Sequence, residues 1–370
     1  MQWTKKNIPR LGDFFVWGFD LFSFTHYSVH MSDLFHKLLI LRTPKIGAAK
    51  YNDLVARFGS VAAAAEALNA DVAHRDKVMR EMDLANKLGI KYIADTDSFY
   101  PDNLKKIKNH PPVISVRGNL DVLNKPIVSI VGTRHATVSG MGLVADIANA
   151  FADNGYAVAS GMAMGTDTAA HRGALRANGN AQTIAVLAGG CDYVWPLENE
   201  SLYWEIVSRG AIISEMPVGF TPVATNFVQR NRIVSGLCER LILGEADLKS
   251  GSMTTARFAI EAKKQVFAIP SHPADMRSYG PNSLIKSGDA ILCMGVNDFF
   301  DAKNDKNHKK ITHEKNESDD ILLDKIGMVP VSETVLAQIV KKTISEIKSA
   351  LVVLELQGLV KKVDGGYVRV

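Results

Sequence analysis

The sequence predicts an α/β protein: a doubly wound parallel sheet, with a small helical domain before it and a winged helix after it. Three observations carry this. Between Ile127 and Leu292, short continuous apolar runs alternate with helix-length stretches, as expected of strands buried on both faces. From Leu34 to about Gly89 the apolar residues recur only with helical period. Beyond a charged stretch, two helix-like segments lead into a hairpin closed by Gly365-Gly366.

At 370 residues the chain exceeds the roughly 100–200 typical of one domain, so two or three domains are expected. With 46% hydrophobic and 22% charged residues, disordered and fibrous classes are excluded. Forty-three Lys and Arg against 39 Asp and Glu leave a net charge of +4, which permits an anionic partner without requiring one. Cys191, Cys238 and Cys293 form no CxxC and are odd in number, which argues against a disulfide framework or a cysteine zinc site and fits a reducing cytoplasm. No run reaches the roughly 18 apolar residues of a membrane-spanning helix, so no membrane partner is expected.

Lys5, Lys6 and Arg10 ahead of Phe14-Phe15-Val16-Trp17 imitate a secretory leader, but Asp13 and Asp20 bracket the run and no small-residue cleavage site follows. Residues 1–30 are therefore expected to be an extension outside the fold, which begins near Met31. Residues 31–98 form the helical domain, with Leu34, Leu38, Leu39 and Leu41, then Leu54, Val55 and Phe58, on apolar faces. Its Pro44-Lys-Ile-Gly47 turn is either a helix-hairpin-helix presenting amides to phosphate or a plain interhelical connection.

Tyr100-Pro-Asp-Asn-Leu to His110-Pro-Pro bridges into Val113-Ile-Ser-Val and the domain spanning 99–300. Its strands are Ile127–Val131, Tyr156–Ala159, Thr183–Leu187, Ala211–Ile213, Arg240–Leu243, Val266–Ile269 and Ala290–Leu292. Helices are expected over Ser139–Asn154, Thr166–Asn178, Glu198–Ser208 and Thr254–Lys263. Residues 301–320 hold 11 charged side chains and read as a solvated linker. The winged helix occupies 321–370; its Lys361, Lys362 and Arg369 suit either a duplex or plain solvent.

In an open parallel sheet, ligands bind beyond the carboxyl ends of the strands, where helix N-termini favour anions. Four Gly/Ser/Thr-rich loops converge there: Gly132-Thr133-Arg134, Ser160-Gly161 to Gly165-Thr-Asp167, Gly189-Gly190-Cys-Asp192, and Glu245 to Ser250-Gly251-Ser252-Met-Thr-Thr255. Together they suggest a phosphate-lined cleft. The dinucleotide fingerprint and the Walker loop are both absent, so no cofactor is expected. Asn226-Phe227-Val-Gln-Arg230-Asn231-Arg232 adds a ring, two arginines and an amide. Phe227 stacks a base or belongs to the core; Arg230 and Arg232 meet phosphates or pair with carboxylates such as Glu215 and Glu245. Asp167 and His171 lie on one helical face, but without a nucleophile, an orienting group or metal-ligand spacing they read as a helix cap and a packed ring, and no catalytic or metal residue is assigned.

Gly132-Thr-Arg134, Ser160-Gly-Met-Ala-Met-Gly-Thr-Asp-Thr-Ala-Ala-His171, Phe227 through Gly236, and Ser250-Gly-Ser-Met-Thr-Thr-Ala-Arg257 resemble the DNA-processing protein A family, DprA or Smf. Tyr100-Pro-Asp-Asn-Leu, Arg117-Gly118 and Leu354-Glu-Leu-Gln-Gly-Leu-Val360 extend the likeness from about Leu34 to Val370. The resemblance implies an extended Rossmann-like fold and a cytoplasmic, non-catalytic, dimeric protein. Such a protein binds single-stranded DNA, protects incoming DNA during natural transformation and loads the recombinase RecA. It further implies DNA contacts at Arg134, Phe227, Arg230, Asn231 and Arg232, with Gly132, Thr133, Ser160, Gly161, Ser250 and Gly251 shaping the floor, and a dimer surface near Leu284, Ile285 and Ile291. Thr133 stands where the family usually has Ser, Met164 where it commonly has Arg, and Val228 and Gln229 where it often has Pro and a basic residue. These changes imply weaker binding or a flatter salt dependence. The alternative is a phosphoribohydrolase of the lysine-decarboxylase-like type, whose Gly/Thr-rich loop and following Glu are loosely matched by Ser250 to Glu261.

Overall fold

The computed structural model describes residues 33–178, 182–300, 322–356 and 358–370. The N-terminal extension and the charged stretch over 301–320 lie outside the described residues. The chain divides into two compact units, the break falling between Phe299 and Phe300.

The first unit opens with helices: α1 over 33–41, α2 (Ala48–Phe58), α3 (Val61–Ala67) and α4 (Val72–Lys87). Ser60 and Asp71 cap α3 and α4 by accepting from the amides of Ala63 and His74. Leu38, Leu39, Ile40, Tyr51 and Val78 form a core that reaches Val113 of the sheet. Arg42, just past the end of α1, and Glu81 of α4 add a largely buried ion pair at 2.7 Å.

Nine strands make one sheet in the order β1-β2-β6-β5-β4-β3-β7-β8-β9. Their ranges are β1 (Ile90–Ala94), β2 (Val113–Gly118), β3 (Ile127–Val131), β4 (Ala157–Ser160), β5 (Thr183–Val186), β6 (Ala211–Ser214), β7 (Arg240–Leu243), β8 (Gln265–Ala268) and β9 (Ile291–Leu292). The seven strands read from the sequence are parallel, as expected. β1 and β2 add an antiparallel pair at one edge. β1 lies within the segment read as purely helical, so the sheet takes in residues well before 99.

The connecting helices are α5 (Asp102–Lys105), α6 (Val138–Asp153), α7 (Thr166–Leu175), α8 (Glu200–Arg209), α9 (Ala224–Leu237), α10 (Gly251–Glu261) and α11 (Tyr279–Ser287). α9 and α10 cover one face through Ile233, Val234, Leu237 and Ala256; α8 covers the other through Leu202, Tyr203 and Ile206. β3 leads by way of α6 to β4 on one side, while β7 pairs on its other side, so strand order reverses between β3 and β7. That reversal opens a crevice at their carboxyl ends.

The second unit comprises α12 (Glu333–Val340), α13 (Ile344–Leu356) and the hairpin β10 (Val360–Val363) and β11 (Gly366–Arg369), around Leu336, Ile347, Leu351, Leu354 and Tyr367. Lys362 lies 3.9 Å from Glu333 and Arg369 3.9 Å from Asp324, so two of its three wing cations sit beside carboxylates.

Candidate functional site

The crevice is a cleft of about 770 Å³, lined by the loop after β3, the start of α7, one side of α9 and the start of α10. Its glycines are there for packing. A Cβ on Gly132 would come within 2.9 Å of the Glu245 carbonyl and 2.8 Å of Thr166 Cγ2. Gly165, at φ +73°, would bring one 2.5 Å from the Arg134 carbonyl. These contacts join the first, second and fourth loops: the Thr133 amide donates to the Glu245 carbonyl at 2.6 Å, and the Thr166 amide to the Thr133 carbonyl at 3.2 Å. Glu245 is not an arginine partner. Its carboxylate accepts from the Thr137 amide at 2.7 Å and the Thr137 hydroxyl at 2.5 Å, fixing the entry to α6.

Arg230 forms the floor. It is 6% exposed, and its Nη1 donates to the Gly161 carbonyl at 2.5 Å and to the Val186 carbonyl, tying the ends of β4 and β5. Its guanidinium fills the space a Cβ on Gly161 would need, 2.5 Å from Nη1. Burial pushes its pKa down to about 10, with Asp167 opposing and Arg134 adding to the shift. Asp167 is buried beside it; desolvation raises its carboxyl while Arg230 and the Ala163 amide, at 3.2 Å, pull it back. Its role as a helix cap is replaced by that of a counter-charge in the floor. His171 is fully buried, with Nδ1 2.7 Å from the Thr183 hydroxyl, and burial followed by the Arg230 charge lowers its pKa to about 3.

Two sequence-derived contacts do not reach the cleft. Ser160 is fully buried and its hydroxyl donates to the Ile130 carbonyl at 2.7 Å, so it braces two strands. Arg232 points away: it pairs with Glu215 and donates to the Asn109 carbonyl at 2.9 Å, in a separate groove beside α2. Residues two apart on a helix do not share a face, which separates it from Arg230. Asn231 does line the cleft, with Nδ2 donating to the Gly251 carbonyl at 3.1 Å. Ser250 caps α10, its hydroxyl accepting from the Ser252 amide at 3.3 Å.

The mouth carries the feature with a ligand's chemistry. The Arg134 guanidinium lies 5.0 Å from the Trp195 ring and 5.8 Å from that of Phe227, and the two rings meet edge to face at 4.5 Å. Phe227 is half-buried, and Arg134 is exposed. Arg277, paired with Asp275 at 2.6 Å, and exposed Lys249 complete the cationic rim. Trp195 and Lys249 escaped the sequence reading. The signal for Trp195 was an aromatic five residues past the Gly189-Gly190 turn, in a loop expected to approach the rim.

Comparison with known proteins matches residues 91–304 to the model of DNA recombination-mediator protein A, residues 32–90 to a DprA-like N-terminal HHH domain, and residues 309–366 to a DprA winged helix domain. The chain belongs to the DNA recombination-mediator protein A family. Among its relatives, Protein Smf of Synechocystis is 38% identical over 206 residues, covering 55% of this chain and 51% of that one. The chain thus matches about half the length of that relative. Among solved structures, DNA processing protein A of Streptococcus pneumoniae aligns with a TM-score of 0.57 and 31% identity, covering 74% of this chain and 95% of that one. The Helicobacter pylori DNA processing protein A, whose structure concerns its single-stranded DNA binding mode, aligns at 0.52 and 31%, covering 57% and 93%. The N-terminal match agrees with a small helical domain of helix-hairpin-helix type ahead of the sheet. Among the described residues no group of three or more His, Cys, Asp or Glu can hold a metal, and no helix is long and apolar enough to cross a membrane.

Proposed function

We propose that this member of the DNA recombination-mediator protein A family is a non-catalytic, cytoplasmic protein that binds single-stranded DNA in the central cleft. It protects incoming DNA during transformation and delivers it to the RecA recombinase. The observation that carries this is Arg134 at the mouth, in contact with Trp195 and Phe227 and with no carboxylate partner among the described residues. A guanidinium beside aromatic faces offers a phosphate a cation and a base a stacking surface, with no requirement for sequence. Gly132, Thr133, Gly161, Asn231, Ser250 and Gly251 shape the wall, and Arg230 lends its charge from the floor. The H. pylori relative's binding mode supports the same ligand.

A dimer would form along edge strand β9, where Ile291 and Leu292 are half exposed while Leu284 is buried. The hydrolase alternative loses its carboxylate: Glu261 ends α10, roughly 15 Å from the helix start that faces the cleft. Titrating single-stranded against duplex oligonucleotides by filter binding at two salt concentrations tests the assignment. Preference for the single strand, weakened by salt, is expected; equal affinity for both, or release of ribose phosphate from AMP, overturns it.

A further inference from the structure

Two arginines line the mouth of the central cleft, in opposite electrical states. Arg134 has no carboxylate partner among the described residues, whereas Arg277 is gripped by Asp275. Nε donates to Oδ1 at 2.9 Å and Nη2 to Oδ2 at 2.6 Å, the forked geometry in which a guanidinium and a carboxylate pair most strongly. The Arg277 amide donates to Oδ1 as well, at 2.9 Å. Arg277 holds the Asp275 carboxyl down at about 2, so the acid is charged at every pH near neutrality. Of the other acids lining the cavity, Asp167 is buried beside Arg230, and Asp247 stands just before α10, whose N-terminus favours a negative charge. Among the described residues neither pairs with a cation of the mouth.

The loop that carries the pair, between β8 and α11, is fastened at both ends. Asn282 accepts from the Ser271 amide at 3.3 Å and donates to the Ser271 carbonyl at 2.9 Å. The Ala246 amide donates to the Arg277 carbonyl at 2.6 Å and the Gly280 amide to the Ala246 carbonyl at 2.8 Å, which ties this loop to the one after β7. Arg277 Nη1 then reaches the carbonyl of His135, the residue after Arg134, at 3.4 Å. These bonds leave two of the five N–H groups of the guanidinium without a partner among the described residues. Arg277 is thus within reach of a strand that touches Arg134, with its charge already answered. An exposed pair contributes little to stability, so its main electrostatic effect falls on an approaching anion.

We propose that Asp275 is an electrostatic brake on the cleft: it positions Arg277 at the mouth while cancelling its charge, so that single-stranded DNA is held below the full strength the cleft could reach. The assignment rests on the cleft holding such DNA. Arg134 and the two rings then supply the grip, and Arg277 adds shape without net attraction. A protein that passes its strand on is served by a grip short of its maximum.

The full-length Asp275→Asn variant is to be titrated with a labelled oligothymidine of about twenty nucleotides over a range of salt, read by fluorescence anisotropy. Binding should tighten by up to about fivefold at low salt. The salt slope should steepen by about 0.7, one phosphate's share, a change that a merely structural role would not produce. Asp275→Glu, which keeps the charge, should stay near wild type. Arg277→Gln leaves the acid unpaired and should weaken binding, while Asp275→Asn/Arg277→Gln should return to within about twofold of wild type, with the wild-type slope. Unchanged or weaker binding by Asp275→Asn overturns the brake; so does a double variant as weak as Arg277→Gln, since Arg277 would then hold DNA in its own right. Should Asp275→Asn not fold, Asp275→Ser, which keeps an acceptor for the Arg277 amide, carries the same expectation. Failure of the underlying reading is distinguishable: Arg134→Ala and Asp275→Asn would then both be silent, whereas failure of the brake alone leaves Arg134→Ala weakened.

Discussion

The Arg134 guanidinium rests 5.0 Å from the Trp195 ring, across two loops that the sequence separates by sixty residues. One loop follows β3 and the other β5, strands with only β4 between them. Glycine at 132 and 165 lets the first two loops pack closely enough for Arg134 to arrive at the mouth held in place. Little side-chain freedom then remains to be lost when a phosphate binds.

Arg134→Ala is expected to weaken single-strand binding for every sequence and to flatten the salt slope by about 0.7, one phosphate's share. Titrations over a range of salt read both. A lower affinity with an unchanged slope would mean that Arg134 acts through the rings alone.

Removing either ring should cost about 1–3 kcal/mol of binding, with little dependence on base identity. Because Trp195 and Phe227 touch edge to face, the double variant should lose less than the sum of the single losses. Isothermal titration of Trp195→Ala, Phe227→Ala and the pair measures this; strict additivity would place the rings in independent sites.

Arg232→Ala should destabilise the fold by about 2 kcal/mol, between the values for exposed and fully buried ion pairs, because Glu215 is left without its partner. DNA affinity and salt slope should stay at the wild-type level. A flattened slope would return Arg232 to the interface.

His171 separates the folded and unfolded chains by pH. Its pKa is about 3 when folded and near 6.5 when unfolded, so between those values the unfolded chain binds the extra proton. Stability is fully present above 6.5 and declines on acidification by about 1.4 kcal/mol per pH unit from this group. Denaturant titrations of wild type and His171→Gln between pH 7 and about 5 should show the steeper acid loss only in the wild type. Parallel curves would refute the assignment.

The parallel core was legible because strands covered on both faces leave unbroken apolar runs, as in Ile127–Val131 and Ile212-Ile213. β1 was not: half-exposed Tyr92 and exposed Lys91 break its run, and α4 ends just before it. The cleft's location was legible from loops that follow strands. The purpose of its glycines was not, since spacing cannot tell a glycine that faces a ligand from one that faces another loop, as Gly132 does, or an arginine from a neighbouring helix, as Gly161 does. Arg230 and Arg232 were separable in principle, because two positions along a helix turn a side chain by roughly 200°.

The central claim is tested most directly by photo-crosslinking the full-length protein to a single strand substituted with bromodeoxyuridine, then mapping the adducts by mass spectrometry. Adducts at Trp195 and Phe227, absent in excess unlabelled strand, are predicted. Adducts confined to the winged helix, with both rings unmodified, would contradict it.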